Sequence, residues 1–317
     1  MNGILYVLGG FQASSVEAYD PATHTWTKAT PMPNDRRISE AAAIDGKLYV
    51  VGGWGGGSCC PNNNLWVYDP RTKVWTARAP LPILSACGAA GAIAGKLYVT
   101  TACNGYSEIR PFSFFHVYDP LTNGWTRLPD VPHLHSYPVA GVIEGKLYVA
   151  GGSGSSTLGG SELDVYDPVT NTWVAKAPML TARFQAAGAV LDGMLYVAGG
   201  ASGTRKLAVV EAYDPVTDTW TSKSPLSIAR SGTTGAVVNG TFYVVGGSDG
   251  ARDLASMEAY HPRELAWTIS KPSVATVSAT GLVTAGAVPG TTRITVTSGG
   301  VTGHATLTVV APHIPAR

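Results

Sequence analysis

Arg36, Arg183 and Arg230 each stand ten residues ahead of a glycine, and Ser85 and His135 hold the same place before Gly95 and Gly145. Three planar guanidinium groups facing one opening would clamp a carboxylate or another anion through paired donors. The same groups would serve equally well as caps on backbone carbonyls or as partners of acidic loop residues, and both readings stand at this point. The positions that follow add Arg37, Ser136, Phe184 and Ser231, then Tyr137 and Gln185, so the ring is more polar and basic than the segments it opens.

Two long segments carry a second set of groups. W-G-G-G-S-C-C-P-N-N-N (54–64) holds Trp54 and three asparagines, and C-N-G-Y-S-E-I-R-P-F-S-F (103–114) holds Tyr106, Glu108, Arg110 and Phe112. Aromatics beside amides and charges on loops suit sugar or peptide recognition, although two such loops also pack on each other. Arg252 lies on a shorter loop. The four cysteines, Cys59, Cys60, Cys87 and Cys103, match no zinc spacing. The turn at Ala94-Gly95 sets Cys87 near Cys103 at one strand end, so a disulfide is expected between Cys103 and Cys87, Cys59 or Cys60, buried free thiols being the alternative. His133, His135 and His116 show no third ligand by spacing, and neither a metal nor a cofactor is expected. P-loop and His-Glu-x-x-His motifs do not occur. Acidic residues fall mostly in turns and at one recurring place, Glu17, Asp164, Glu211 and Glu258.

The elements that must position these groups repeat. Trp26, Trp75, Trp125, Trp173, Trp220 and Trp267 are separated by 49, 50, 48, 47 and 47 residues, and a tyrosine precedes each by seven. A second tyrosine series, Tyr6, Tyr49, Tyr98, Tyr148, Tyr196 and Tyr243, lies in L-Y-V or F-Y-V. One unit, 186–225, reads as four short strands: A-A-G-A-V-L, an Asp192-Gly193 turn, M-L-Y-V-A, a Gly pair, V-V-E-A-Y, an Asp-Pro turn, and a strand through Trp220. Four strands per repeat of about 48 residues is the pattern of a propeller blade. The first strand of each unit is built of Ala, Gly and Val, as crowding round an axis requires. The near-neutral charge, +1, provides no field for nucleic acid, and no apolar run reaches the roughly 18 residues of a membrane span.

The paired glycines after Y-V (Gly9-Gly10, Gly52-Gly53, Gly151-Gly152, Gly199-Gly200, Gly246-Gly247), with Y-D-P and Trp at fixed offsets, resemble kelch repeats. The third unit departs with Thr101-Ala102 and the sixth with Tyr260-His261-Pro262. The resemblance implies an all-β, six-bladed propeller over residues 1–267. Residues 268–317 contain no Asp or Glu, and they resemble the C-terminal half of a group 2 bacterial immunoglobulin-like domain. Trp267 fits both patterns.

Met1-Asn2-Gly3 aligns with the turn between first and second strands, so blade 1 is expected to lack its first strand and the chain reads as N-terminally truncated. Ala305–Val310 is a candidate to fill that vacancy. The leading functional expectation is a monomeric, non-catalytic binding or adhesion module of an extracellular or cell-surface bacterial protein, recognising a glycan, peptide or protein. The alternative is a carbohydrate-active enzyme: the resemblance extends to sialic acid mutarotases, with an Arg-lined pocket, while the Tyr and His copper set of galactose oxidases cannot be assembled. A fragment without a ligand is the third reading.

Overall fold

The structure, a computed structural model, describes residues 1–10, 13–55, 61–102, 113–153, 159–261, 266–278, 282–298 and 301–310. Blade 1 contains β1 (Leu5–Leu8), β2 (Val16–Asp20) and β3 (Thr25–Lys28); blade 2 contains β4 (Glu40–Ile44), β5 (Lys47–Val51), β6 (Leu65–Asp69) and β7 (Val74–Arg78). Blade 3 is β8 (Ala89–Ile93), β9 (Lys96–Thr101), β10 (Phe114–Asp119) and β11 (Gly124–Leu128), and blade 4 is β12 (Val139–Ile143), β13 (Lys146–Ala150), β14 (Leu163–Asp167) and β15 (Thr172–Lys176). Blade 5 runs through β16 (Ala187–Leu191), β17 (Met194–Ala198), a small ribbon of β18 (Ala201–Ser202) and β19 (Arg205–Lys206), then β20 (Val210–Asp214) and β21 (Thr219–Lys223). Blade 6 has β22 (Thr234–Val238), β23 (Thr241–Val245) and β24 (Met257–Tyr260). Among the described residues, strands within each blade pair antiparallel in chain order, four in blades 2 to 5 and three in blades 1 and 6.

Local chemistry explains the repeat. The Asn2-Gly3, Asp45-Gly46, Ala94-Gly95, Glu144-Gly145, Asp192-Gly193 and Asn239-Gly240 turns all have positive φ at both residues, the type I′ geometry whose twist matches the flanking strands. In each Y-D-P turn the Asp carboxylate accepts the N–H two residues on, as Asp214 does from Val216 at 2.8 Å. The Tyr213 hydroxyl donates to Asp218 at 2.7 Å, and Asp218 also accepts the Ala177 N–H of the preceding blade at 3.0 Å. The outer tryptophans tie blades together: Trp75, Trp125, Trp173 and Trp220 donate from Nε1 to Thr30, Ala79, Pro129 and Ala177 of the blade before. Inner strands need small residues because neighbours press on them. A Cβ on Gly141 would lie 2.5 Å from a Val190 methyl.

The chain divides into two units, Met1–Tyr260 and His261–Arg317. The propeller therefore closes before Trp267. That tryptophan belongs to β25 (Ala266–Ile269), which pairs with β28 (Gly290–Ser298) in the second unit and not with blade 6. The second unit adds β26 (Ala275–Val277), β27 (Val283–Ala285) and β29 (Val301–Val309). Ala305 to Val309, within the segment expected to complete blade 1, pair with Ile294 to Gly290 of β28 in the second unit.

Candidate functional site

The arginine positions act as rivets within and between blades. Arg183 is 1% exposed; its Nη1 donates to Gly199 O at 3.3 Å and Val209 O at 2.9 Å, and its Nη2 forms an ion pair with Glu211 at 2.5 Å. Arg230 repeats this arrangement with Gly246 O and Ser256 O, both at 3.1 Å, and Glu258 at 2.6 Å. The Arg183 and Arg230 carbonyls accept N–H bonds from Gly152 and Gly200 of the preceding blades. These guanidinium groups cap carbonyls and pair with acids, so they are not presented to an anion at an axial opening. Burial lowers Arg183, partly offset by Glu211 beside it.

Blade 4 uses histidine in the same role. His135 is buried with Nδ1 2.6 Å from Gly151 O and Nε2 3.0 Å from the Asp164 carboxylate. His133 Nδ1 also meets Asp164 at 3.0 Å. Burial pushes the Asp164 carboxyl up, but the bonds from His135 and His133 prevail and hold it below the ordinary range. Both ring nitrogens of His135 are thus engaged by protein groups. No group of three or more metal-ligating side chains occurs among the described residues.

Blades 2 and 3 break the pattern. Trp66 and His116 stand where blades 4 to 6 place the acid. Arg36 donates from Nη1 to Gly52 O and Asn64 O, while its Nε and Nη2 are buried without a hydrogen-bond partner. Burial pushes its pKa down to about 10, against the pull of Glu40. Burial likewise lowers His116, with Arg127 adding to the effect.

The open feature is an axial cavity of about 800 Å³, a volume suited to a small ligand or a short peptide. Ala, Gly and Val of the inner strands form its walls. Its mouth is a ring of five equivalent residues in the left-handed region: Ile38 (φ 58), Cys87 (φ 64), Tyr137 (φ 60), Gln185 (φ 56) and Gly232 (φ 65). Backbone bonds run blade to blade round this ring, Tyr137 N–H to Cys87 O, Gln185 N–H to Tyr137 O and Gly232 N–H to Gln185 O. Four non-glycine residues at positive φ, one of them β-branched, store strain at one rim, as binding sites often do. Arg37, Ser39, Glu40 and Thr233 add polar groups to the lining.

Of the expected site residues, Tyr137 reaches this mouth. Trp54 is half-buried, and its backbone bridges Arg37 at 2.9 Å in both directions. Phe184 bridges Ala201 through its backbone, and exposed Arg252 sits 3.6 Å from Asp249. Tyr106, Glu108 and Arg110 lie outside the described residues, as do Cys59, Cys60 and Cys103; Cys87 itself is buried. Sequence reading missed Ile38 and Glu40 and gave Gln185 no role of its own. The available signal for Ile38 and Gln185 was the offset of two from Arg36 and Arg183.

Fold and site together define a six-bladed kelch-type β-propeller followed by an immunoglobulin-like segment. The chain belongs to the Attractin/LZTR1 beta-propeller family, whose profile matches residues 5–254, and residues 253–309 match the bacterial Ig-like domain of group 2. Kelch-like protein 35 of Homo sapiens is 40% identical over 57 residues, 17% of this chain and 10% of that protein. N-acetylneuraminate epimerase of Pasteurella multocida is 42% identical over 64 residues, 17% of each chain. The solved structure of YjhT superimposes with a TM-score of 0.72 at 19% identity, covering 82% of this chain and 92% of its own, a likeness of fold. The chain thus spans only a small part of the length of the curated relatives it matches.

Proposed function

We propose that this propeller is a non-catalytic recognition module that takes a peptide or protein ligand at the mouth of its axial cavity, and that it works outside a bacterial cell or on its surface. The observation that carries the reading is the strained ring of Ile38, Cys87, Tyr137, Gln185 and Gly232 over a cavity of about 800 Å³. Its walls mix Ala, Gly and Val with Ser39, Glu40 and Thr233, and its rim carries the Tyr137 phenol, the Gln185 amide and the neighbouring Arg37, the mix that binds a peptide. The catalytic alternative loses its main support, because Arg183 and Arg230 are engaged with Glu211 and Glu258. The immunoglobulin-like segment supports the surface location.

The test is a peptide and glycan array probed with the wild type and with the Tyr137→Ala/Gln185→Ala double variant. Ligands are expected that bind the wild type and lose at least tenfold in affinity with the variant. Equal binding by both proteins, or measurable acceleration of N-acetylneuraminate anomer exchange, would overturn the reading.

A further inference from the structure

Blade 2 holds a buried cation without its acid. In blades 5 and 6 the guanidinium Nη2 meets a third-strand carboxylate, Glu211 and Glu258 respectively. In blade 2 that strand position is Trp66, which lies opposite Val50 as Glu211 lies opposite Val197, so its side chain leaves the strand on the same face. Arg36 is 1% exposed, and among the described residues its hydrogen bonds go to the Gly52 and Asn64 carbonyls alone. Its Nε and Nη2 have no hydrogen-bond partner, and the Trp66 Nε1 is buried and unpartnered as well. Glu40 acts on Arg36 through its charge, but it turns a carboxylate oxygen to the Gly88 N–H at 2.7 Å. With its pKa pushed down to about 10, Arg36 is still protonated at neutral pH. A buried charge left uncompensated is strongly destabilising, and unpaired buried donors in folded proteins point to an ion or water.

We propose that Arg36 and Trp66 form a binding site for a small monovalent anion, a halide or a small carboxylate, which takes in blade 2 the place of the Glu211 and Glu258 carboxylates. Nε and Nη2 make one edge of the guanidinium fork, the edge that holds an anion between two N–H groups. The indole N–H adds a third donor on the same strand face. An anion suits these groups better than water does. Guanidinium and indole only donate, so they can satisfy an acceptor but offer nothing to the two hydrogens of a water molecule. The charge to be balanced is that of one guanidinium, which a halide or a carboxylate matches. Trp66 is half-buried, so the site borders the surface. Neither Arg36 nor Trp66 lines the axial cavity, and the site is independent of recognition at its mouth.

The experiment follows the thermal midpoint of the whole chain in sodium chloride, bromide and acetate, each titrated at fixed ionic strength against a bulky sulfonate. The wild-type midpoint is expected to rise saturably. Trp66→Phe, which keeps an aromatic ring and removes the N–H, should need about tenfold more anion for half the effect, and Arg36→Met should lose the saturable rise. Saturation by acetate and not by the halides assigns a carboxylate site; saturation by the halides assigns a halide site. In the halide case, crystals soaked in bromide are expected to show its anomalous scattering within hydrogen-bond distance of Arg36 Nη2 and Trp66 Nε1. A midpoint that never saturates with any of the three anions, the same saturable rise in the wild type and Trp66→Phe, or bromide bound only elsewhere overturns the inference. Should Arg36→Met fail to fold, Trp66→Phe and the bromide position decide.

Discussion

At the scale of single residues, the arginines of blades 5 and 6 and the histidine of blade 4 share one task. Each ties a Gly carbonyl to an acid on the third strand, buried in blades 4 and 5 and half-buried in blade 6. Arg183→Met would leave Glu211 buried without its cation, which costs about 3–5 kcal/mol. Arg36→Met strands no ion-paired third-strand carboxylate, since Trp66 holds that place, and a smaller loss, about 1–3 kcal/mol, is expected from the two lost carbonyl bonds with Glu40 nearby. Urea denaturation of both variants checks the contrast; equal losses would refute it. Asp164 sets a pH dependence. Its folded pKa lies below the ordinary 3.8, so its contribution is complete above that value and is lost as pH falls through the folded pKa. The urea midpoint of the wild type is expected to fall more steeply below pH 4 than that of Asp164→Asn. Parallel curves would remove Asp164 from the account. The pairing was present in the sequence: Arg230 and Glu258 are 28 residues apart and His135 and Asp164 are 29 apart. A lone arginine looks like a ligand clamp until its partner one blade-width away is considered with it.

At the scale of elements, most of a blade was legible. Type I′ turns follow from Asp-Gly and Asn-Gly, and strand register follows from the turns. The mouth ring was not legible, because Ile, Cys, Tyr, Gln and Gly share no side-chain chemistry; only their common backbone conformation unites them. Trp267 misled for the opposite reason. It sits at the repeat spacing, yet its strand pairs with β28 of the second unit. One consequence is visible in blade 1. Each outer tryptophan donates to a carbonyl just past the fourth strand of the preceding blade, and blade 6 has no such strand among the described residues. Trp26 is accordingly 42% exposed. Trp220→Phe, which removes the bond to Ala177, is expected to cost about 1 kcal/mol, while Trp26→Phe stays close to wild type. Comparable losses in denaturant midpoint would contradict the role assigned to the tryptophans.

At the scale of the whole propeller, the two blades with three strands among the described residues, 6 and 1, meet at one seam. The ring is closed by strand packing everywhere else, so opening should begin there. Native-state exchange is expected to be faster at the Tyr6 and Leu8 amides than at Tyr49 and Val51, their equivalents in blade 2. The axial cavity beneath a strained rim carries the functional reading. A hydrogen-exchange footprint of an array-selected ligand tests it most directly. The account predicts slowed exchange at Ile38, Tyr137, Gln185 and Gly232 round the mouth. Slowing confined to the outer strands around Trp75, Trp125 and Trp173, with the mouth unchanged, would contradict it.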